Sequence, residues 1–306
     1  MNALEVSNIS KRFGDFFAVK DLTFEISEGS MYGLLGPNGA GKTTTLRMVM
    51  NIIMPDSGEI KVLGQKMDEG MKARIGYLPE DRGLYPKMKV GEVLLFLAEI
   101  KGVRGERAKK QIDFWLDRFS LSEWKQKKVE ELSKGMQQKI QFIVTVIHEP
   151  EIIILDEPFG GLDPINTKLI KDIMMEMEKK GHTIIFSTHR MEQVEMICDK
   201  ICLINKAEKV LEGGLTDIKK EYGKNTVILD YDGDGSFIKE FPGIEKIDDY
   251  GKFMEIKMKE KADPQDLLET LVGKIQVNKF EVREPTLNAI FIDKVGEKDA
   301  KDTFSH

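Results

Sequence analysis

Gly36-Pro37-Asn38-Gly39-Ala40-Gly41-Lys42-Thr43 is the stretch of sequence that decides the fold. It matches G-x-x-x-x-G-K-[ST] and lies between an apolar run at 31–35, which predicts a buried strand, and a segment at 42–53, which predicts a helix ended by Pro55. In that setting the glycines let backbone N–H groups converge on phosphate oxygens, and the helix start adds partial positive charge. We predict a triphosphate site in which Lys42 bridges the β- and γ-phosphates and the Thr43 hydroxyl contacts Mg²⁺.

A second element follows the apolar run at 152–155, where Asp156 and Glu157 end a predicted buried strand. A carboxylate there lies at the edge where open α/β sheets bind their ligands. We predict that Asp156 holds Mg²⁺, directly or through water, and that Glu157 is the base that polarises a water molecule towards the γ-phosphate. Acidic residues after a strand are often only helix caps, but the accompanying phosphate loop favours catalysis.

Three further motifs narrow the class of protein. Residues 132–137, Leu-Ser-Lys-Gly-Met-Gln, resemble the ABC signature LSGGQ at the start of a predicted helix. Residues 160–163, Gly-Gly-Leu-Asp, resemble the D-loop, and Thr188-His189 resembles the switch-histidine loop after an apolar strand. Five motifs in this order resemble the ATP-binding subunit of an ABC transporter over about residues 3–215. Residues 78–86 and 284–292 and the signature variant also resemble, less specifically, bacterial ATPases that pair with separately encoded ABC-2-type permeases, including the sodium-extrusion ATPases.

The resemblance implies an α/β P-loop fold of ABC type, with a mixed sheet core, an antiparallel β subdomain and a helical insert at about 85–131. The implied catalytic residues are Glu157, His189 and Lys42, and the implied Mg²⁺ ligands are Thr43, Asp156 and Glu80. The implied ATP contacts are Phe13, Gly36, Pro37, Asn38, Gly39, Ala40, Gly41, Lys42, Thr43, Thr44, Ser133, Gly135 and Asp163. ATP would lie between the phosphate loop of one subunit and the signature of another. We therefore expect a second ATP-binding subunit, in a homodimer, and an integral membrane permease of ABC-2 type that the pair drives in export.

Some positions leave their role open. Glu80 stands where the family usually has Gln; a carboxylate is a harder Mg²⁺ ligand than an amide, yet it brings negative charge towards the triphosphate. Phe13 matches the aromatic that stacks on adenine in the family, but an aromatic between strands is as commonly a core residue. Lys134 and Met136 replace the usual Gly and Gln of the signature, whereas Ser133 and Gly135 are kept.

The composition argues against several classes of protein. The 306 residues are 41% hydrophobic and 32% charged, which fits a soluble globular protein of one or two domains. No apolar run approaches the roughly 20 residues of a membrane span, and the net charge of -6 argues against a nucleic acid partner. Cys198 and Cys202 are interpreted as buried, reduced thiols. We expect a cytoplasmic protein that is held at the inner face of the cell membrane by the permease.

A boundary is predicted near residue 215, after the turn formers Gly213 and Gly214. Residues 1–215 carry a net charge of -1 and residues 216–306 a net charge of -5. Strands predicted at 226–231, 244–248, 253–258 and 275–282, with helices at 236–240 and 264–272, resemble a ferredoxin-like split βαβ unit. We predict a small α+β accessory domain over 216–295 and a flexible tail over 296–306.

Two other functions compete with transport. A non-transport ABC ATPase acting on ribosomes or DNA would be expected to have a second phosphate loop or a long coiled-coil insertion, and the sequence contains neither. An ATP-dependent regulatory module, in which residues 216–306 bind a ligand or partner, stays open.

Overall fold

The computed structural model describes residues 1–81, 83–222, 226–251, 253–259 and 262–296. The chain divides into two units, Met1–Gly213 and Gly214–His306. The strands of the first unit are β1 (Asn2–Phe13), β2 (Phe16–Ser27), β3 (Met31–Leu35), β4 (Ser57–Val62), β5 (Ile75–Leu78), β6 (Ile152–Asp156), β7 (Thr183–Thr188), β8 (Lys200–Asn205) and β9 (Glu208–Gly214). Its helices are α1 (Lys42–Val49), α2 (Glu69–Lys72), α3 (Val90–Ile100), α4 (Gly105–Arg118), α5 (Lys134–Val146), α6 (Pro164–Lys179) and α7 (Met191–Glu195), with 3-10 turns at Ser122–Trp124 and Val129–Glu131.

The central sheet of the first unit has the strand order β5-β6-β7-β3-β8-β9. The strands β5, β6, β7, β3 and β8 pair in parallel. Every residue of β3, β6 and β7 is buried, as in parallel strands covered on both faces. A two-residue turn, Lys206 and Ala207, joins β8 to β9 with positive φ at both positions, so these two strands form an antiparallel hairpin and the sheet is mixed.

A second sheet, β2-β1-β4, is antiparallel. One hydrophobic cluster joins the two sheets through α1, because it contains Leu46 and Val49 of that helix together with Val6 of β1 and Ile154 of β6. The helix that follows the phosphate loop is therefore held between the antiparallel sheet and the central sheet.

Two predicted elements differ from the structure by several residues at one end. The helix predicted over 42–53 ends at Val49, and Pro55 is not what stops it. Asn51 adopts a left-handed conformation and the Ile52 amide donates to the Arg47 carbonyl, which is a Schellman end. The alternation of apolar and polar residues predicts a strand only over 3–6, whereas β1 has 12 residues, because the irregular register beyond Val6 interrupts the alternation.

The second unit contains α8 (Leu215–Glu221), β10 (Thr226–Asp232), a 3-10 helix (Ser236–Glu240), β11 (Ile244–Asp249), β12 (Met254–Met258), α9 (Pro264–Leu271), β13 (Gln276–Arg283) and α10 (Leu287–Val295). Its antiparallel sheet has the strand order β11-β12-β10-β13. With its connections, this is the order of a split βαβ unit. The apolar core of the unit includes Val227, Ile256 and Leu267.

Over the described residues, no helix is both long and apolar enough to cross a lipid bilayer. The tail predicted over 296–306 lies outside the described residues, except for Gly296, which follows α10.

His148, between α5 and β6, couples the stability of the first unit to pH. Its Nε2 lies 3.3 Å from the Ile75 carbonyl, to which Lys101 also donates, and its buried Nδ1 has no hydrogen-bond partner among the described residues. Burial, together with the charge of Lys101, lowers the pKa of His148 from 6.5 to about 4. Between about pH 4 and pH 6.5, the imidazole of His148 is therefore neutral in the native state, whereas it binds a proton in the unfolded chain.

We predict that this stability is complete above about pH 6.5 and is lost as the pH falls to about 4, with a loss of up to roughly 3 kcal/mol. Chemical unfolding of the wild type and of His148→Gln at several pH values isolates the contribution, because both proteins share all other titrating groups. The stability difference between them should shrink or reverse as the pH falls. A difference that does not vary with pH would contradict the prediction.

Candidate nucleotide-binding site

The phosphate loop joins the end of β3 to the start of α1 and requires glycine at two positions. Gly36 and Gly41 have φ of 150° and 110°, and a Cβ atom on them would lie 2.1 Å from the Ile204 carbonyl oxygen and 2.3 Å from the Ala18 carbonyl oxygen. A side chain at either position would force the loop away from the sheets. Pro37 and Ala40 are buried, whereas Asn38 and Gly39 are exposed.

Lys42 is the buried cation of this loop. The residue is 6% exposed, and its Nζ donates to the carbonyl oxygens of Gly36 at 2.7 Å and Pro37 at 2.9 Å. Burial lowers the pKa of Lys42, while the nearby carboxylates of Glu157, Asp156 and Glu80 act in the opposite direction. The ammonium group is thus held inside the loop, where it can exchange carbonyl partners for phosphate oxygens.

Asp156, at the end of β6, is completely buried. Ser187, its register partner on β7, donates its hydroxyl to Oδ1, whereas no group in the described part of the chain hydrogen-bonds to Oδ2. Burial raises the pKa of Asp156, while the hydroxyl groups of Ser187 and of the nearby Thr43 act to lower it. The carboxylate and the Thr43 hydroxyl therefore adjoin, with one carboxylate oxygen uncommitted.

Glu157 is fixed in a strained and fully hydrogen-bonded position. Its φ of 48° is unusual for a residue with a side chain. Oε1 accepts from the backbone N–H of His189 at 3.0 Å and from its Nδ1 at 2.8 Å, and Oε2 accepts from the Thr188 hydroxyl at 3.2 Å. Because a carboxylate only accepts, the imidazole carries a proton on Nδ1. The loops after β6 and β7 are thus linked through one carboxylate.

A cavity of about 330 Å³ brings several predicted residues together. Its lining residues are Phe13, Phe16, Ala18, Asn38, Gly39, Gly41, Lys42, Thr43, Thr44, Glu80 and Glu157. Phe13 is 54% exposed and lies at the end of the β1–β2 hairpin, so it is not a core residue. The cavity has an aromatic end and a phosphate-loop end, as a nucleoside triphosphate requires.

The signature and the D-loop lie outside this cavity. Ser133 is exposed and caps α5 by accepting from the Met136 amide, and Asp163 is exposed and caps α6 by accepting from the Asn166 amide. The two segments adjoin each other, since a Cβ atom on Gly135 would lie 3.6 Å from the Gly161 carbonyl oxygen. Within one chain, Ser133, Gly135 and Asp163 therefore form a second group of predicted ATP contacts.

Sequence reasoning missed two residues of the site. Ser187 contacts Asp156 only because β6 and β7 are neighbours in register, which no local pattern reveals. Phe16 lines the cavity because the hairpin pairs it with Phe13. The sequence did contain a signal for this hairpin, because Gly14 follows Phe13 and glycine is common in such turns. In the structure Gly14 has a positive φ, as these turns require.

These features define a P-loop nucleoside triphosphatase. A family model described as "ABC transporter" matches residues 19–160, and one described as "ATP-binding protein DrrA1-3-like, C-terminal domain" matches residues 213–295. The chain belongs to the family of ATP-binding subunits of ABC transporters, and it is an ATPase. Cassettes of this family work as dimers with membrane permease subunits.

Three known proteins illustrate the similarity. "Uncharacterized ABC transporter ATP-binding protein YhaQ" of Bacillus subtilis (strain 168) is 44% identical over 96% of this chain and 98% of that protein. "Nod factor export ATP-binding protein I" of Rhizobium sp. (strain N33) is 31% identical over 97% and 98%, respectively. A solved structure described as the ATP-binding subunit of an ABC transporter is 30% identical, with a TM-score of 0.68 over 72% of this chain and 93% of that chain.

Proposed function

We propose that this chain is a cytoplasmic ATPase that forms a homodimer on ATP and drives a separate ABC-2-type permease in export. The observation that carries the proposal is the division of the predicted ATP contacts. Lys42, Glu157 and Phe13 share one cavity, whereas Ser133 and Gly135 lie outside it. A second copy of the chain supplies the missing half if its signature faces this cavity.

Nucleotide binding is assigned to the two ends of the cavity. Phe13 stacks on the adenine ring, and the backbone of residues 36–44 surrounds the phosphates, with Lys42 between the β- and γ-phosphates. The buried position of Lys42 favours this role, because a desolvated ammonium gains more from an approaching phosphate than an exposed one does. The exposed ring of Phe13 gains apolar contact when the base binds.

The residues also fit Mg²⁺. Asp156 carries a buried carboxylate oxygen to which no described residue hydrogen-bonds, next to the hydroxyl of Thr43, and Mg²⁺ is commonly held by one or two such protein ligands and by phosphates. We propose that Thr43 and Asp156 hold the ion, with Glu80 at the rim of the cavity. Bound Mg²⁺ would neutralise charge on the triphosphate and align its phosphates.

Glu157 is proposed as the base and His189 as the group that holds it. Three hydrogen bonds from Thr188 and His189 fix the two carboxylate oxygens, so that the base is oriented before substrate binds. The carboxylate accepts a proton from the attacking water, and the Nδ1–H of His189 keeps it from rotating away. His189 is proposed to contact the γ-phosphate as well.

Glu157→Gln is predicted to bind ATP with nearly unchanged affinity and to hydrolyse it about 10²- to 10³-fold more slowly, because an amide accepts no proton. Single-turnover hydrolysis and binding of a fluorescent ATP analogue measure the two quantities separately. Thr188→Val, which removes the bond to Oε2 together with the contacts of this hydroxyl to Gln193 and to the Arg190 amide, is the milder comparison. Normal turnover by Glu157→Gln would show that another group is the base.

The shared site predicts that two inactive variants restore activity when mixed. Lys42→Ala damages the cavity, and Gly135→Asp puts a carboxylate next to the proposed γ-phosphate position. The backbone has room for a Cβ atom at this position, since it would meet nothing closer than 3.6 Å. A refolded equimolar mixture contains heterodimers with one intact site and should recover roughly a quarter of the wild-type rate if the two sites act independently.

Lys42→Ala mixed with Glu157→Gln is the matched control, because both changes lie in the same half of the site and no intact site can form. Recovery in both mixtures, or in neither, would argue against a site shared between two chains.

Export and the membrane partner rest on the resemblance of this chain to exporter ATPases, including the Nod factor export protein. We propose that the protein is peripheral at the inner face of the membrane, that residues 1–215 form the ATP-binding domain with a helical insert at 85–131, and that residues 216–295 form an accessory domain. No nucleic acid partner is proposed, given the net charge of -6.

The full chain, tagged and extracted from membranes in mild detergent, is predicted to co-purify with an integral membrane protein of several predicted spans. Extraction after a high-salt wash serves as the control for loose adsorption. Recovery of the chain alone from both preparations would count against a stable permease complex.

A further inference from the structure

Lys171 is a buried lysine on the inner face of α6. It lies beside the buried residues Ile170 and Met174 and is only 8% exposed. No carboxylate oxygen of the described residues lies within ion-pairing distance of its Nζ. Burial lowers the pKa of this ammonium, and the more distant Glu192 only partly opposes the effect. The nucleotide site described above makes no use of this residue.

The Lys171 ammonium contacts two uncharged, weakly interacting groups, an aromatic ring and a thioether sulfur. Its Nζ lies 5.4 Å from the centre of the Phe159 ring, within range of a cation–π contact, and 3.5 Å from the Met196 sulfur. A thioether is a weak acceptor, and an aromatic face repays only part of the cost of removing an ammonium from water. A methionine at position 171 would fill the same space without that cost. The stability of the fold therefore does not account for the charge, and such local conflicts are expected at functional positions.

The two partners of Lys171 belong to the segments of the chain that follow β6 and β7. Phe159 directly precedes the D-loop, residues 160–163, and its ring contacts Phe186 on β7 edge to face at 5.8 Å. Met196 directly follows α7, the helix that begins two residues after His189. Glu157 already joins the same two segments at the cavity. Lys171 makes a second connection between them on the side of the loops where α6 lies.

We propose that Lys171 is a positioning residue, which holds Phe159 and thereby the D-loop in a defined place relative to the His189 segment. This inference rests on the proposed function, because the D-loop acts there only when a second subunit meets it. The ammonium favours one face of the Phe159 ring at a set distance, whereas an alkyl chain would let the ring and the following glycines shift. The D-loop residues Gly160 and Gly161 have no side chains that could hold them in place.

The test compares Lys171→Met with the wild type, using the full chain with its membrane partner. We expect ATP affinity within about two-fold of wild type, a kcat lowered at least about five-fold, and a thermal midpoint that is unchanged or higher. Lys171→Arg keeps a cation over the ring and should recover most of the kcat. Lys168→Met, one turn earlier on the exposed face of α6, where Lys168 pairs with Asp172, is the matched control and should leave all three quantities unchanged.

A double-mutant comparison tests whether Lys171 acts through the aromatic ring. Phe159→Leu keeps an apolar side chain and removes the ring, so adding Lys171→Met to it should cause no further loss of kcat. Additive losses, a fully active Lys171→Met, or a lowered thermal midpoint with a matching loss of ATP affinity would each overturn the proposal. Failure of the Lys42→Ala and Gly135→Asp mixture to recover activity would instead count against the shared site of the proposed function, so the two failures are distinguishable.

Discussion

The carboxyl ends of β3, β6 and β7 meet at one edge of the central sheet, and the site depends on this parallel pairing. The register sets Asp156 beside Ser187 and Leu35 beside Thr188, so that the loops after the three strands begin at the same height. The phosphate loop, Glu157 and His189 follow from these ends. Because the strands are buried on both faces, a shift in their register would move apolar side chains out of the core, and the packing therefore protects the geometry of the site.

Charged groups are buried close to this edge, although burial of charge opposes stability. Asp156 is completely enclosed, Lys42 donates to carbonyls of its own loop, and within the described ranges the Lys171 ammonium contacts only an aromatic ring and a sulfur. Glu157 adds backbone strain. Apolar packing around α1 and within the central sheet compensates for these features. A site with uncommitted acceptors and desolvated charges is arranged to gain free energy when triphosphate and metal arrive.

Much of the first unit could be predicted, because its signals are local. The runs before Gly36 and before Asp156 are apolar enough to indicate buried strands, and each is observed where expected. The end of α1 could not be predicted from Pro55, because the left-handed Asn51 ends the helix earlier and is not a glycine. The length of β1 was missed because its bulges break the two-residue alternation on which strand prediction depends.

The sequence by itself determined the chemistry of the phosphate loop and of the acidic pair. Each of them acts through a few consecutive residues, whose backbone and side chains together indicate the binding of phosphate or of a metal ion and water. Tertiary structure alone decided which groups share a cavity. It separated Ser133 and Gly135 from Lys42 and brought the Ser187 hydroxyl to Asp156. It also exposed Phe13 beside Phe16 and buried Lys171 against Phe159, which precedes the D-loop. These contacts join residues that are far apart in the chain. They arise from strand order and helix packing, which a short sequence motif does not encode.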